Sequence, residues 1–217
     1  MIAGVSVEVG NEAVVVRSSA PLRVLSSAVH LGGFARARAI VNLHVGKNDP
    51  CADPAGMIGA FARRAGVPAP WVGLLTGAHT ERAVQAQESA AGFHALAVVT
   101  VGLSNPVAAG TSPVATWAAS TINTIVVVGA DPEPAALVNA VITATEVKGL
   151  ALREAALQAD AGRPASGTST DAVVIAATGR GPAARFGGPA SEMGWVVARA
   201  VRVALDRAIA DWQEHHR

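Results

Sequence analysis

Cysteine is almost absent from this chain: Cys51 stands alone among 217 residues. No internal disulfide can form, which fits a reducing compartment. Net charge is equally muted, since 17 basic and 16 acidic residues leave a formal +1 with no basic cluster. Nucleic acid is therefore a poor candidate partner. No uninterrupted apolar stretch reaches the roughly 20 residues that a membrane helix needs. The opening Ile2-Ala3-Gly4-Val5-Ser6-Val7-Glu8 lacks the basic start and apolar block of a secretion signal. Neither a Gly-x-Ser-x-Gly elbow nor a His-Glu-x-x-His motif occurs. His30, His44, His79 and His94 are scattered, His215-His216 sit at the tail, and none has metal-ligand spacing. Cys51 reads as an ordinary thiol rather than a nucleophile. The expectation is a soluble cytoplasmic protein with no catalytic metal, no nucleic-acid partner and no membrane span.

Apolar material is abundant. Hydrophobic residues make up 51% of the chain, and neither a composition shift nor a long linker divides it, so residues 1–217 read as one domain. Val5–Val9 and Ala13–Arg17 alternate around Gly10-Asn11, a hairpin signal. Leu22–Ser26 and Ala39–Val45 follow as strands around Gly32-Gly33. Asp53 is placed to cap a short helix ending near Gly66. Trp71–Thr76, Ala83–Gln87, Ala95–Val101 and Ile122–Val128 complete a strand-rich middle. A helix from Pro134 to about Ala159, the strand Ala172–Ala177 and a helix from about Pro189 close the sequence. The fold class expected is α+β or α/β. It has a mixed sheet, antiparallel early and partly parallel late, packed by helices with two long ones in the C-terminal half.

Two polar clusters interrupt this apolar pattern. Thr143-Ala144-Thr145-Glu146-Val147-Lys148 lies inside the first long helix, and Gly167-Thr168-Ser169-Thr170-Asp171 runs into the last strand. Charges and hydroxyls in such surroundings are costly to desolvate without partners, and often mark a site. At about 100° per residue, Asn139, Thr143 and Glu146 share one helix face while Lys148 points the opposite way. The alternatives are a solvated Glu146 with a snorkelling Lys148, or one or both at a pocket mouth. The second cluster is equally readable as a Ser/Thr turn or as a ligand-facing loop at a strand entrance.

Taken together, the motifs resemble the adenosylcobinamide amidohydrolases. The matching pieces are Leu25-Ser26-Ser27-Ala28 with Gly32-Gly33, Asn42-Leu43-His44-Val45, Val72-Gly73-Leu74-Leu75-Thr76 and Thr100-Val101-Gly102-Leu103-Ser104-Asn105. Thr121-Ile122-Asn123-Thr124-Ile125, Leu137-Val138-Asn139-Ala140, the two polar clusters and Gly187-Gly188-Pro189-Ala190-Ser191-Glu192-Met193-Gly194 complete the ordered set. Ser169 stands where the family pattern has glycine, Val147 and Val101 replace alanine, and Pro106 replaces a small residue.

The resemblance implies hydrolysis of the amide that joins the corrin propionyl chain to aminopropanol. The products would be adenosylcobyric acid and (R)-1-amino-2-propanol, with the corrinoid as substrate and no cofactor held by the protein. It leaves open a non-catalytic corrinoid-binding protein, an amidohydrolase of a related amide, and a homo-oligomer. Under this reading Glu146 or Asp171 is the base on an attacking water. Lys148 and donors around Thr168 and Thr170 stabilise the oxyanion or orient the carboxylates. A nucleophilic Thr168 or Thr170 is the alternative. Asn42, Asn105, Asn123 and Asn139 are candidates to grip corrin amides, since each side chain both donates and accepts. Glu192 either faces the site or complements the dipole of the last helix.

Overall fold

In the computed structural model, residues 2–46, 49, 51–114 and 120–216 are described. In chain order the strands are β1 Val5–Val9, β2 Ala13–Ser26, β3 Gly33–His44, β4 Trp71–Thr76, β5 Val84–Ala90 and β6 Phe93–Val101. They continue with β7 Pro106–Val107, β8 Ile122–Val128, β9 Asp131–Pro132, β10 Gly167–Thr168, β11 Ala172–Ala177 and β12 Ala183–Ala184. The helices are α1 Pro54–Arg64, α2 Pro134–Glu154 and α3 Glu192–His215.

The main sheet runs β4-β3-β2-β11-β8-β6-β5, with β1 added on β2. It is mixed, as its alternating patterns imply, but parallel pairing occurs in both halves: β3 with β4 and β8 with β11. The sheet folds over on itself. Ile40, Val72 and Leu74 from one half meet Leu96, Val98, Ile125, Val127 and Val174 from the other in one buried cluster. The fold-over is made within β2, where the expected strands 13–17 and 22–26 are one long strand with an irregularity between Arg17 and Leu22. A local shift of this kind bends a strand and sharpens its twist, so one strand can serve both layers.

Strand alternation then assigns the outer faces. Ala39, Val41 and Leu43 of β3 point away from the inter-sheet core and pack on Ile58, Phe61 and Ala62 of α1. Asp53 caps α1, accepting from the Gly56 amide at 2.9 Å. On the opposite side Ala97, Val99, Ile122, Val126 and Ile175 pack under α2 and α3. The Met193, Val196, Val197, Ala200, Val201, Ala204, Leu205 stripe of α3 is buried, as its spacing predicts. The order is thus helix, sheet, sheet, helices.

α2 is long and apolar enough to cross a bilayer by length and composition, yet half of its apolar window is buried within the protein. It packs on β11 and α3. It also ends earlier than its pattern suggests. Ala156 adopts φ 55° just past the C-cap, and the Leu157 amide bonds back to Leu152 O at 3.0 Å. The chain therefore reverses instead of continuing to Ala159, and returns residues 165–171 to the side of the helix. Arg202 of α3 ties the helices by pairing with Glu154, and bonds Asp206 at 2.8 Å. The hydrogen bond from Arg202 holds the Glu154 carboxyl below its ordinary range.

Candidate active site

At one end of the sandwich the inter-sheet core changes from apolar to polar. The inward-facing rows run Ile40 to Asn42 on β3, Val98 to Thr100 on β6 and Ile125 to Asn123 on β8. Asn42 Nδ2 donates to Thr100 Oγ1 at 2.9 Å, and Asn123 Nδ2 donates to Asn42 Oδ1 at 2.8 Å and Leu75 O at 2.9 Å. These bonds join strands that are not sheet neighbours, so the polar end locks the two layers in register. Thr121 Oγ1 extends the network, donating to Thr170 O at 2.8 Å with Asn123 Oδ1 at 3.3 Å. Satisfied networks of this kind rigidify a core, whereas each unmet partner would be costly.

The Thr170 carbonyl leads directly to the ionised group. Lys148 Nζ donates to Asp171 Oδ2 at 2.5 Å, with their side chains only 11% and 9% exposed. The Thr168 amide donates to the same oxygen at 3.0 Å. Asp171 Oδ1 accepts from Thr168 Oγ1 at 2.5 Å and from the Ile122 amide at 2.9 Å. Each carboxylate oxygen thus has two donors. Such an arrangement satisfies a buried charge, and it leaves Asp171 little capacity to take up a water as well. Its role in the geometry is to orient the other two: a threonine hydroxyl, and an ammonium with three donors of which Asp171 takes one.

Gly167 makes this convergence sterically feasible. A Cβ there would stand 2.4 Å from Asp171 Oδ2 and 2.9 Å from Lys148 Nζ. Contacts that short force the pair apart, so Gly167→Ala is expected to lower turnover at least tenfold. Circular dichroism of the variant should show an intact fold, because the crowding falls on side-chain ends. Activity within twofold of the parent would show that the spacing is immaterial. The neighbouring departures from the family pattern are accommodated here. Ser169 Oγ accepts from Asn105 Nδ2 at 2.6 Å, and Pro106 lies opposite Thr168 where β7 pairs with β10.

The structure brings together Lys148, Thr168 and Asp171, places Thr170 beside them, and bonds Asn105 of the β6–β7 loop to Ser169 of the same turn. Glu146 is not part of this group: it is exposed on α2, two residues from Lys148 and so on the other side of the helix. Asn42 and Asn123, expected to grip substrate amides, are each 1% exposed and spend their amides on each other and on neighbours. Asn139 is half-buried on α2, and Glu192 is exposed in the first turn of α3, where Ser191 caps the helix. Thr143 is buried and donates to Gly187 O at 2.9 Å, pinning the loop before α3 to α2. Burial, then the nearby Asp49 charge, push the Cys51 thiol up from its ordinary value, which disfavours the nucleophilic thiolate. Among the described residues no three His, Cys, Asp or Glu gather as a metal would require.

Thr100, Thr121 and the Ile122 amide went unassigned from sequence. The two threonines lie in matched motifs, Thr100 as a hydroxyl at an inward position of an otherwise aliphatic strand, while a backbone amide leaves no mark in the sequence. The hydroxyl signal does not say which non-adjacent strand will supply the partner.

A profile of the adenosylcobinamide amidohydrolase (CbiZ) family matches residues 2–217. An adenosylcobinamide amidohydrolase of Methanosarcina mazei is 32% identical over 179 residues, covering 78% of this chain and 82% of that protein. Among solved structures, a Burkholderia sp. beta-aminopeptidase aligns over 93% of this chain and 78% of its own, with a TM-score of 0.50 at 13% identity. At that identity the likeness shows the fold alone.

Proposed function

Because the chain belongs to the adenosylcobinamide amidohydrolase family, whose members are hydrolases acting on an amide, we propose that it cleaves the aminopropanol amide of adenosylcobinamide at the Lys148–Asp171–Thr168 group. The products are adenosylcobyric acid and (R)-1-amino-2-propanol, which returns an incomplete corrinoid to cobalamin synthesis. The observation that carries the reading is the Thr168 hydroxyl, 2.5 Å from a carboxylate that also holds a nearly buried ammonium.

Thr168 Oγ bonds to the amide carbon while its proton passes to Asp171, to which it is already hydrogen-bonded. The free N–H groups of Lys148 face the oxyanion that develops on the carbonyl oxygen. The C–N bond then breaks, and the departing nitrogen takes the proton from Asp171. Water hydrolyses the resulting threonyl ester, giving the carboxylic acid and restoring Thr168. The reading assigns no resident metal, and cobalt enters only within the substrate.

The test is incubation of purified protein with adenosylcobinamide, with mass spectrometry of the corrinoid and amine products. Adenosylcobyric acid and aminopropanol are expected in equal amounts, and pre-treatment with EDTA should leave the rate unchanged. Binding without product would reduce the protein to a corrinoid-binding module. Loss of activity on chelation with specific recovery on zinc would overturn the metal-free chemistry.

A further inference from the structure

Beside the polar end of the sandwich lies a cleft of about 250 Å³ between the C-terminal turns of α3 and the loops that follow β4 and β6. It joins the catalytic group through Ser120. That residue lines the cleft, and its carbonyl accepts from Thr170 Oγ1 at 3.3 Å, next to Asp171. Its hydroxyl accepts from the Ser104 amide at 2.9 Å, which fixes the second hydroxyl-bearing wall residue. The cleft's chemistry is not used by the mechanism above.

Size excludes the corrin itself. Enclosing pockets for drug-sized ligands run to roughly 300–1,000 Å³, and a corrin with its side chains exceeds a drug, so this cleft takes a substituent. Its walls offer flat rings from two directions. His79 comes from the β4 side, stacked on His44 at 5.8 Å between centroids, and Trp212 comes from α3, stacked with His216 at 4.2 Å. Between them sits the Arg82–Asp211 pair, with Nη1 2.9 Å from Oδ2. The guanidinium is matched by its partner, so Arg82 is not free to take a phosphate. A guanidinium, a carboxylate and two hydroxyls offer donors and acceptors together, as heterocycle edges and sugar hydroxyls need. Flat π faces suit any base, because each presents a π surface of its own.

We propose that this cleft is the subsite for the adenosyl group of the corrinoid, a neutral purine nucleoside held by stacking and edge hydrogen bonds. The assignment rests on the proposed function for its natural ligand, but its chemistry can be tested without turnover.

Saturation-transfer NMR with free adenosine as the probe reads the cleft directly. Adenosine signals should be attenuated by the wild-type protein, and the attenuation should be lost in Ser104→Trp, which fills the cleft, and reduced in His79→Ala. Both positions are exposed, so the fold should survive both changes. Kinetically, KM for adenosylcobinamide should rise tenfold or more in both variants. The inhibition constant of cyanocobinamide, which lacks the nucleoside, should stay within twofold. A parallel rise for both corrinoids, or adenosine contact that persists in Ser104→Trp, overturns the proposal. If the wild-type protein hydrolyses no corrinoid, the function reading fails on its own. The adenosine signals then decide the cleft: attenuation abolished by Ser104→Trp sustains it, and no attenuation in the wild type ends it.

Discussion

Thr168→Ala is expected to lower kcat by roughly 10⁴–10⁶, the scale seen when a covalent nucleophile is removed. Thr168→Ser should keep measurable turnover, because it preserves the hydroxyl and its bond to Asp171. The physical basis is the occupied carboxylate. Asp171 accepts from Lys148, from Ile122, and from the Thr168 amide and hydroxyl. The hydroxyl proton is already directed at its acceptor, whereas a water would have to displace one of those donors first. Glu146 supplies a control from the other side of α2: Glu146→Gln should leave turnover within about twofold, as surface changes away from a site usually do. The measurements are single-turnover kinetics and mass spectrometry for a threonyl ester trapped by acid quench. A Thr168→Ala enzyme within tenfold of wild type would rule out covalent catalysis at this residue. If Glu146→Gln were dead at the same time, water activation by Glu146 would have to replace it.

A second large effect is expected at the ion pair, and there it divides into stability and chemistry. Removing one member of a buried pair leaves the other charge without compensation, at a cost of about 3–5 kcal/mol. Asp171→Asn should show that loss in urea unfolding, since Lys148 loses its counter-charge at 8% residue exposure and an amide cannot receive four donors. Lys148→Met should cost less, because Thr168 and Ile122 still supply three hydrogen bonds to the carboxylate. The double variant Lys148→Met/Asp171→Leu should recover part of the loss, as apolar replacement of a whole buried pair often does. None of the three should recover hydrolysis, for the oxyanion donor or the proton acceptor is missing from each. A double variant that regained stability and turnover together would show the pair to be scaffolding only.

Most elements were legible because their signals are local. The Gly10-Asn11 turn, the Asp53 cap, the aliphatic run Ile122–Val128 and the stripe of α3 each depend on neighbours within a few residues. The same holds for the identity of the polar clusters, since a lysine within an apolar helix is conspicuous wherever that helix packs. The pattern predicting α2 as far as Ala159 overran because helical spacing in apolar residues does not report the left-handed turn at Ala156.

By itself the sequence determined the mixed α and β composition, the order of elements, the family and the segments that carry chemistry, for these follow from periodicity, caps and ordered motifs. Only the tertiary structure decided how those segments combine. The bend in β2 lays β3 and β4 over β6 and β8, which turns Asn42 and Asn123 from candidate substrate grips into buried partners of each other. The reversal after α2 brings Asp171 to Lys148 and away from Glu146, although the two α2 residues are neighbours in sequence. The physical reason is that a buried charge must be met by a partner in space. Which residue meets it depends on chain reversals and strand crossings that no local pattern encodes.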